Sequence, residues 1–333
     1  MRTSRLIYIG LIIGLLVAVG FSVYFYQQVQ HYDAQIETAN ASSDELPKYH
    51  FALIGEEMDH DYWRLVGQGA KAMEDHHNVF IEYEGPRRSN PDEQLKLLDM
   101  AIQSQVDGII VQALNDQFEP LINQAVNNGI PVITIDTDAP DSLRSTYIGT
   151  DNYKAGQLAG QALLEDTSGE VNVGIVTGSF SNTHHQLRVE GFRSVVDQAD
   201  NVEVVTIEES NITRVVAEEK AHKMLQEYPD INALYGTSAL DGIGMVRAAE
   251  SLNQLQDLYM ATFDTLPENI ALLEQGKVDV LIGQKPYEMG ERSVELMLEL
   301  MKGHMIQDVY HTEASVVRQN NVNAIKDQLG DLP

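Results

Sequence analysis

Along residues 50–300, short apolar runs alternate with stretches whose apolar residues recur every three or four positions. HFALIG (50–55) predicts a strand, and Tyr62, Leu65, Val66, Ala70 and Met73 then line one face of a helix. The alternation repeats. NVFIEYE (78–84), DGIIVQA (107–113), PVITID (131–136) and STYIGTD (145–151) read as strands, with helices around Leu95, Leu98 and Ile102 and up to Asn128-Gly129. Further strands are expected at 171–178, 201–209, 231–237, 258–264 and 278–284, with helices over 153–165, 183–198, 213–227, up to Leu252, and around Val294, Met297 and Met301. Short Val/Ile-rich strands separated by helices are the mark of parallel sheets covered on both faces. About 270 residues of this pattern predict an α/β fold of two doubly wound parallel-sheet lobes. A closed eight-fold β/α barrel is the alternative.

The N-terminus follows a different pattern. Leu6 to Tyr26 is 21 residues without a charge, long enough at about 1.5 Å per helical residue to cross a bilayer core. Arg2 and Arg5 precede it, which predicts a cytoplasmic N-terminus and an extracellular remainder. Tyr24, Phe25 and Tyr26 would sit at the outer interface. A cleavable signal peptide would be shorter and end in a small-x-small site, which Phe25-Tyr26-Gln27-Gln28 lacks. The expected layout is therefore 1–5 cytoplasmic, 6–26 a single-pass membrane anchor carrying a Gly10-xxx-Gly14 pair, and 27–47 a polar extracellular tether.

Composition narrows the function. The 333 residues hold 22 Lys+Arg against 50 Asp+Glu, a formal charge of −28. So acidic a chain lacks the basic face that nucleic-acid binding needs. With 43% hydrophobic residues it is not disordered by composition. There is no cysteine, which excludes disulfides, thiolate metal sites, a Cys nucleophile and a lipid-modified N-terminal Cys.

Catalytic motifs are missing: the chain has no GxxxxGKS/T loop, GxSxG elbow, HExxH or strand-to-helix GxGxxG. His76-His77 and His184-His185 are adjacent pairs, about 100° apart on a helix, and read as solvated rather than chelating. DTDAPD (136–141) lacks the central Gly and distal Glu of a calcium loop and reads as a strand end plus turn. No catalytic residue, metal or cofactor is expected. Polar and aromatic residues do collect at the predicted strand ends, where open α/β sheets bind ligands. After the first strand come Glu56, His60, Tyr62 and Trp63. After later ones come Gln112, Asp136, Thr150 with Asp151, Phe263 with Asp264, and Gln284. Carboxylates and amides grip hydroxyls, and aromatic faces cover the apolar face of a pyranose, so the set predicts a polar-ligand site.

From Lys48 to about Gln319 the chain resembles the type I periplasmic sugar-binding proteins, the ribose/galactose group that serves ABC transporters. The resemblance rests on FALIGEEMDHDYWRLVGQGAK (51–71), VDGIIVQALN (106–115), NGIPVITIDTD (128–138), YIGTDNYKAGQLAG (147–160), RVEGF (188–192) and FDTLPENIALLEQGKVDVLIGQKPYEMG (263–290). It implies two lobes joined by a three-strand hinge, 48–150 plus 285–311 and 151–284 plus 312–333, closing on a sugar. Tyr62 and Trp63 stand at the family's stacking pair and Phe263 at its second stacking position. Glu56 and His60 hold the polar positions before the first-lobe aromatics. Gln112, Asp136, Asp264 and Gln284 match hydroxyl-binding positions, and Thr150 a contact near the first crossover.

Two positions depart from the family. Gln186 stands where an arginine often grips the sugar, with Arg188 then assigned to structure, and Ser238-Ala239 replaces an Asn-Asp pair. A pocket holding Glu56, Asp136 and Asp264 without an arginine is expected to be acidic, disfavouring uronic acids and sugar phosphates. A neutral or amino sugar fits, and a compact organic cation is a variant. The expected role is a membrane-anchored, non-enzymatic binding protein delivering a monosaccharide or similar small polyol to an ABC permease. The alternative is a sugar-sensing subunit reporting to a membrane histidine kinase of a two-component system. A LacI-type repressor would need a basic DNA-binding segment where the chain has its apolar run.

Overall fold

The computed structural model describes residues 47–330 together with Phe21 and Gln28. The chain divides into two units, Met1–Lys48 and Tyr49–Pro333. The expected anchor and tether fall on the first unit and, apart from Phe21, Gln28 and Pro47, lie outside the described residues.

The second unit opens with β1 (Tyr49–Ile54), α1 (Asp61–Lys71), α2 (Glu74–His77), β2 (Val79–Glu84), α3 (Pro91–Gln103), β3 (Gly108–Val111), α4 (Glu119–Asn127), β4 (Val132–Ile135) and β5 (Thr146–Thr150). Next come α5 (Asn152–Asp166), β6 (Val171–Thr177), α6 (Thr183–Val196), β7 (Val202–Glu209), α7 (Arg214–Glu227), β8 (Ala233–Gly236), α8 (Ala239–Ser251), β9 (Tyr259–Phe263), α9 (Pro267–Glu274) and β10 (Val280–Gly283). The chain then returns through α10 (Pro286–Met301) and β11 (Val309–Thr312), and finishes with β12 (Ser315–Val317) and α11 (Val322–Gly330).

The strands form two open six-stranded sheets, β11-β5-β4-β3-β1-β2 and β12-β10-β9-β8-β6-β7. This excludes the closed barrel. The two orders match strand for strand, each with its reversal beside the first strand (β1 or β6), and both sheets aim their carboxyl ends at the cleft between the lobes. The chain passes between the sheets three times: from Thr150 to Asn152, from Gly283 into α10, and from Thr312 to Ser315. One strand breaks the all-parallel expectation: β12 runs antiparallel to β10. Only Glu313 and Ala314 separate it from β11, too few residues for the crossover that a parallel return requires.

Each lobe buries both faces of its sheet. Phe51, Leu53, Ile110 and Ile133 pack under α1 and α10, and Ala52, Ile109, Val111 and Val132 pack under α3 and α4. In the second lobe Val173, Ile175, Ala233 and Ala261 meet α5 and α6, and Val176, Leu234 and Met260 meet α7 and α8. Burial of each Val, Leu, Ile, Phe or Met side chain among these contributes about 1.5–3 kcal/mol, and of each alanine less. Helices α5 and α6 cross so closely that a Cβ on Gly156 would lie 2.2 Å from the Arg188 carbonyl oxygen, and one on Gly191 1.9 Å from that of Tyr153. Helices α1 and α10 mirror this at Gly69 and Gly290.

Candidate functional site

The residue after β4 and the residue after β9 are both aspartates, Asp136 and Asp264, at equivalent places in the two sheets. Both have left-handed backbones, φ 63° and 70°, a region Asp enters more readily than most residues but still at a cost. Matching bonds hold each in place. The Asp136 N–H donates to Ile148 O on β5, and that of Asp264 to Ile282 O on β10, each at 2.9 Å. The Asp136 carbonyl accepts from the Tyr147 hydroxyl (2.9 Å) and Asn152 Nδ2 (3.4 Å), and the Asp264 carbonyl from Asn269 Nδ2 (3.3 Å). Strain over-determined in this way is typical of ligand sites.

Around these carboxylates lies a cleft with about 430 Å³ of empty space, its open mouth included. The first lobe lines it with Glu56, Glu57, His60, Tyr62, Trp63 and Asp136. The second contributes His184, His185, Arg188, Ile212, Ser238, Ala239 and Asp264, with Gln284 at the second passage. Eight of the twelve expected residues therefore meet in one place: Glu56, His60, Tyr62, Trp63, Asp136, Ser238, Asp264 and Gln284. His60 caps α1, its Nδ1 accepting from the Tyr62 N–H at 3.2 Å, and so fixes where the two aromatics begin. Tyr62 and Trp63 meet edge to face at 5.8 Å, and the Tyr62 hydroxyl donates to Asp136 Oδ1.

The other four expected residues stand elsewhere, for identifiable reasons. Gln112 is fully buried behind Asp136, its Nε2 donating to Asp136 Oδ2 at 2.9 Å and to Thr137 Oγ1 at 3.0 Å. Thr150 is buried too, and it is its carbonyl that is used, accepting from Tyr147 and Asn152. Phe263 is fully buried and already covered, because the Arg188 guanidinium lies 4.0 Å above its ring. Gln186 lies on the far side of α6 and donates to Phe180 O.

That helical phase overturns two further expectations. His184, His185 and Arg188 share the buried face of α6 with Gly191, Phe192 and Val196, so the histidines are not solvated and Arg188 lines the cleft. The spacing 185, 188, 192, 196 was the available signal, since Gln186 is about 200° from Arg188 on the same helix. Arg188 donates from Nε to Asn152 Oδ1 (2.9 Å), from Nη1 to Thr237 O (2.8 Å) and from Nη2 to Gln284 Oε1 (3.0 Å). Gln284 Nε2 in turn donates to Asp264 Oδ1 at 2.7 Å.

The charges follow from burial. Desolvation pushes Glu56 up to about 7, although the Ser89 hydroxyl opposes it, with the Asp136 charge adding to the rise. Asp264 is raised to about 6 by desolvation, opposed first by Arg188 and then by the Gln284 bond. Burial holds His184 and His185 well below the usual histidine value, helped by Arg188. His185 Nδ1 accepts from the Ser179 N–H at 3.0 Å, which places the ring proton on Nε2. The cleft thus offers carboxylate acceptors, neutral imidazoles, one guanidinium and two aromatic rings. The lobes also touch across it: Asn182 Nδ2 donates to Glu56 Oε1 (3.2 Å), and Thr137 Oγ1 pairs with His184 Nδ1 (2.8 Å).

Two open sheets facing one polar cleft, linked by three passages, define a two-lobed ligand-binding protein. The chain belongs to the periplasmic binding protein domain family, whose model matches residues 51–305, a family of solute-binding proteins and not of enzymes. It is similar to GanP, a glucose-galactose binding protein from Geobacillus stearothermophilus, at 50% identity and TM-score 0.81 over 82% of this chain and 98% of that one. It is also similar to XylFII as seen in a XylFII-LytSN complex, at 34% identity and TM-score 0.78 over 82% and 98%. The ribose import binding protein RbsB of Escherichia coli K12 is 22% identical over 84% of this chain and 94% of its own length.

Proposed function

We propose that the protein clamps a neutral or amino monosaccharide between its lobes and delivers it to an ABC-type permease. The observation that carries this is the pair of strained aspartates, one per lobe, opening on a single cleft beside Tyr62 and Trp63. Carboxylates fixed in this way accept from adjacent hydroxyls, and the rings cover an apolar sugar face. Arg188 corrects the expectation of a pocket without arginine, yet three of its N–H groups are already committed. Four carboxylates line the cleft against that one guanidinium, which still disfavours uronic acids and sugar phosphates. The similarity to GanP makes D-glucose and D-galactose the first sugars to test.

In this reading residues 6–26 anchor the protein in the cell membrane, N-terminus inside, and 27–47 hold the binding unit outside. Residues 48–150 plus 285–311 and 151–284 plus 312–333 act as the moving bodies. A second reading, a sensory subunit reporting to a membrane histidine kinase, is favoured by the similarity to XylFII in its complex with LytSN and by the absence of a lipid-bearing cysteine.

Trp63 is the single tryptophan and lines the cleft, so its fluorescence in the full-length protein reports occupancy. Titration with D-glucose, D-galactose, D-ribose, D-xylose, D-glucosamine and D-galacturonate is expected to give a saturable change with a neutral or amino sugar and none with the acid. Response to the acid alone, or to no sugar, overturns the reading. Neighbouring permease and ATPase genes favour the transport role, and kinase and response-regulator genes the sensory one.

A further inference from the structure

Asn152 is the first residue of α5, where the first passage enters the second lobe, and it is 5% exposed. Its side chain faces both lobes. Nδ2 donates to two first-lobe carbonyls, Thr150 O at 3.1 Å and Asp136 O at 3.4 Å. Oδ1 accepts from Nε of Arg188 in the second lobe at 2.9 Å. The amide orientation is unambiguous, because the flipped form would set two donors against each other at Arg188 and an oxygen against two carbonyls. From Arg188 the bonds continue through Gln284, at the second passage, to Asp264. A single buried relay therefore runs from the backbone of one strained aspartate to the carboxylate of the other, through two of the three passages.

We propose that Asn152 is a positioning residue that couples the angle between the lobes to the placement of the Arg188 guanidinium in the cleft. This rests on the clamp reading above. Rotating the lobes apart about the passages moves the Thr150 and Asp136 carbonyls relative to α5. One planar amide cannot then keep its carbonyl bonds and its Arg188 bond together. In the closed form both sets are satisfied at once, so closure and the setting of Arg188 occur as one event. Loss of either set leaves a buried polar group without its partner, which favours separation of the lobes.

Two variants divide the relay. Asn152→Ala removes both sets of bonds. Asn152→Asp keeps an acceptor for Arg188 Nε but places oxygen against the two carbonyls. The chain has no cysteine, so Lys96→Cys on α3 and Gln226→Cys on α7, exposed and in opposite lobes, carry spin labels without background. Interlobe distances are measured by pulsed EPR on full-length protein, without sugar and with saturating D-glucose or D-galactose, alongside thermal melting. In the parent protein, sugar is expected to narrow the distribution to the closed distance. Both variants are expected to melt cooperatively, to give broader and longer distributions than the parent without sugar as well as with it, and to bind sugar at least 10-fold more weakly. The failure of Asn152→Asp despite its retained Arg188 bond is the signature that distinguishes coupling from simple support of the arginine. Parent-like distributions in either folded variant overturn the relay, whatever the sugar result. Silence of the parent to both sugars, with the variants' ligand-free distributions still shifted, overturns the choice of sugar and leaves the relay standing.

Discussion

Replacing Asp264 with Asn is expected to move stability and binding in opposite directions. Asn tolerates the left-handed backbone at φ 70° nearly as well as Asp, matches its volume, and can still accept from Gln284 Nε2. What is lost is the charge. Raising this carboxyl from 3.8 to about 6 means that burial of the ionised form costs about 3 kcal/mol above pH 6. Because the folded value is raised, the native state holds its proton longer than the unfolded chain. Stability on this account is full below pH 4 and is lost as pH rises through 6. Opening of the lobes rehydrates the carboxylate, so 3 kcal/mol is a ceiling. For a protein of this size it corresponds to a rise of up to about 6 °C in melting temperature at pH 8, fading to nothing below pH 4. A charge-assisted bond to a ligand hydroxyl is worth about 1.5–3 kcal/mol, so sugar affinity is expected to fall about 10- to 100-fold. Thermal melts from pH 3.5 to 8, paired with Trp63 titrations, measure both. A variant no more stable than the parent at pH 8, or one that binds equally well, refutes the assignment of Asp264 as a buried, ligand-facing carboxylate.

Gly156→Ala gains about 1 kcal/mol of helix propensity, but its Cβ meets the backbone oxygen of Arg188, which cannot swing aside. Overpacking of about 1–3 kcal/mol or more should win, lowering the urea midpoint; a raised midpoint would count against the close α5–α6 contact. Phe263→Ala is expected to cost about 3–5 kcal/mol in chemical denaturation, as for a core ring; a loss below 0.5 kcal/mol would return Phe263 to the solvent-facing stacking role. His184 and His185 are held neutral, so their contribution is present above their unfolded value near 6.5 and is lost as the unfolded chain takes up protons below it. The double Gln variant should therefore lose stability less steeply than the parent between pH 6.5 and 5, and equal slopes would refute their burial.

The alternation of apolar runs located nearly every strand of the second unit because the central strands β3, β4, β8 and β10 are buried throughout and read as continuous apolar stretches, while the edge strands β2 and β7 keep enough Val and Ile among their glutamates to show the pattern. Helix α9 was not separable from its neighbours, being only eight residues long. Strands β11 and β12, VYHT and SVV, are too short and too exposed to carry a pattern. At the site, Asp136, Asp264 and Gln284 were legible because they follow strand ends that lie at the cleft, while Gln112, Thr150 and Phe263 at neighbouring strand ends turn into the core. Tyr62 and Trp63 were legible because they open α1 shortly after β1, whereas residues farther along a helix, such as those of α6, were not, since their placement depends on phase. Gln186 and Arg188 are two positions apart in sequence and on opposite sides of α6. Phe263 was legible as an aromatic at a strand end, but not as a ring already covered by an arginine from a distant helix.

The matched aspartates give each lobe half of a site: Asp136 with Tyr62 and Gln112 on one side, Asp264 with Arg188 and Gln284 on the other. A ligand resting on either half meets the second not by a new encounter but within the same molecule, at an effective concentration set by the three short passages rather than by the surrounding solution. Modest grips multiply under those conditions. Residence time is then governed by how often the lobes part, so a partner that pries them open can empty the cleft without competing for a single ligand atom.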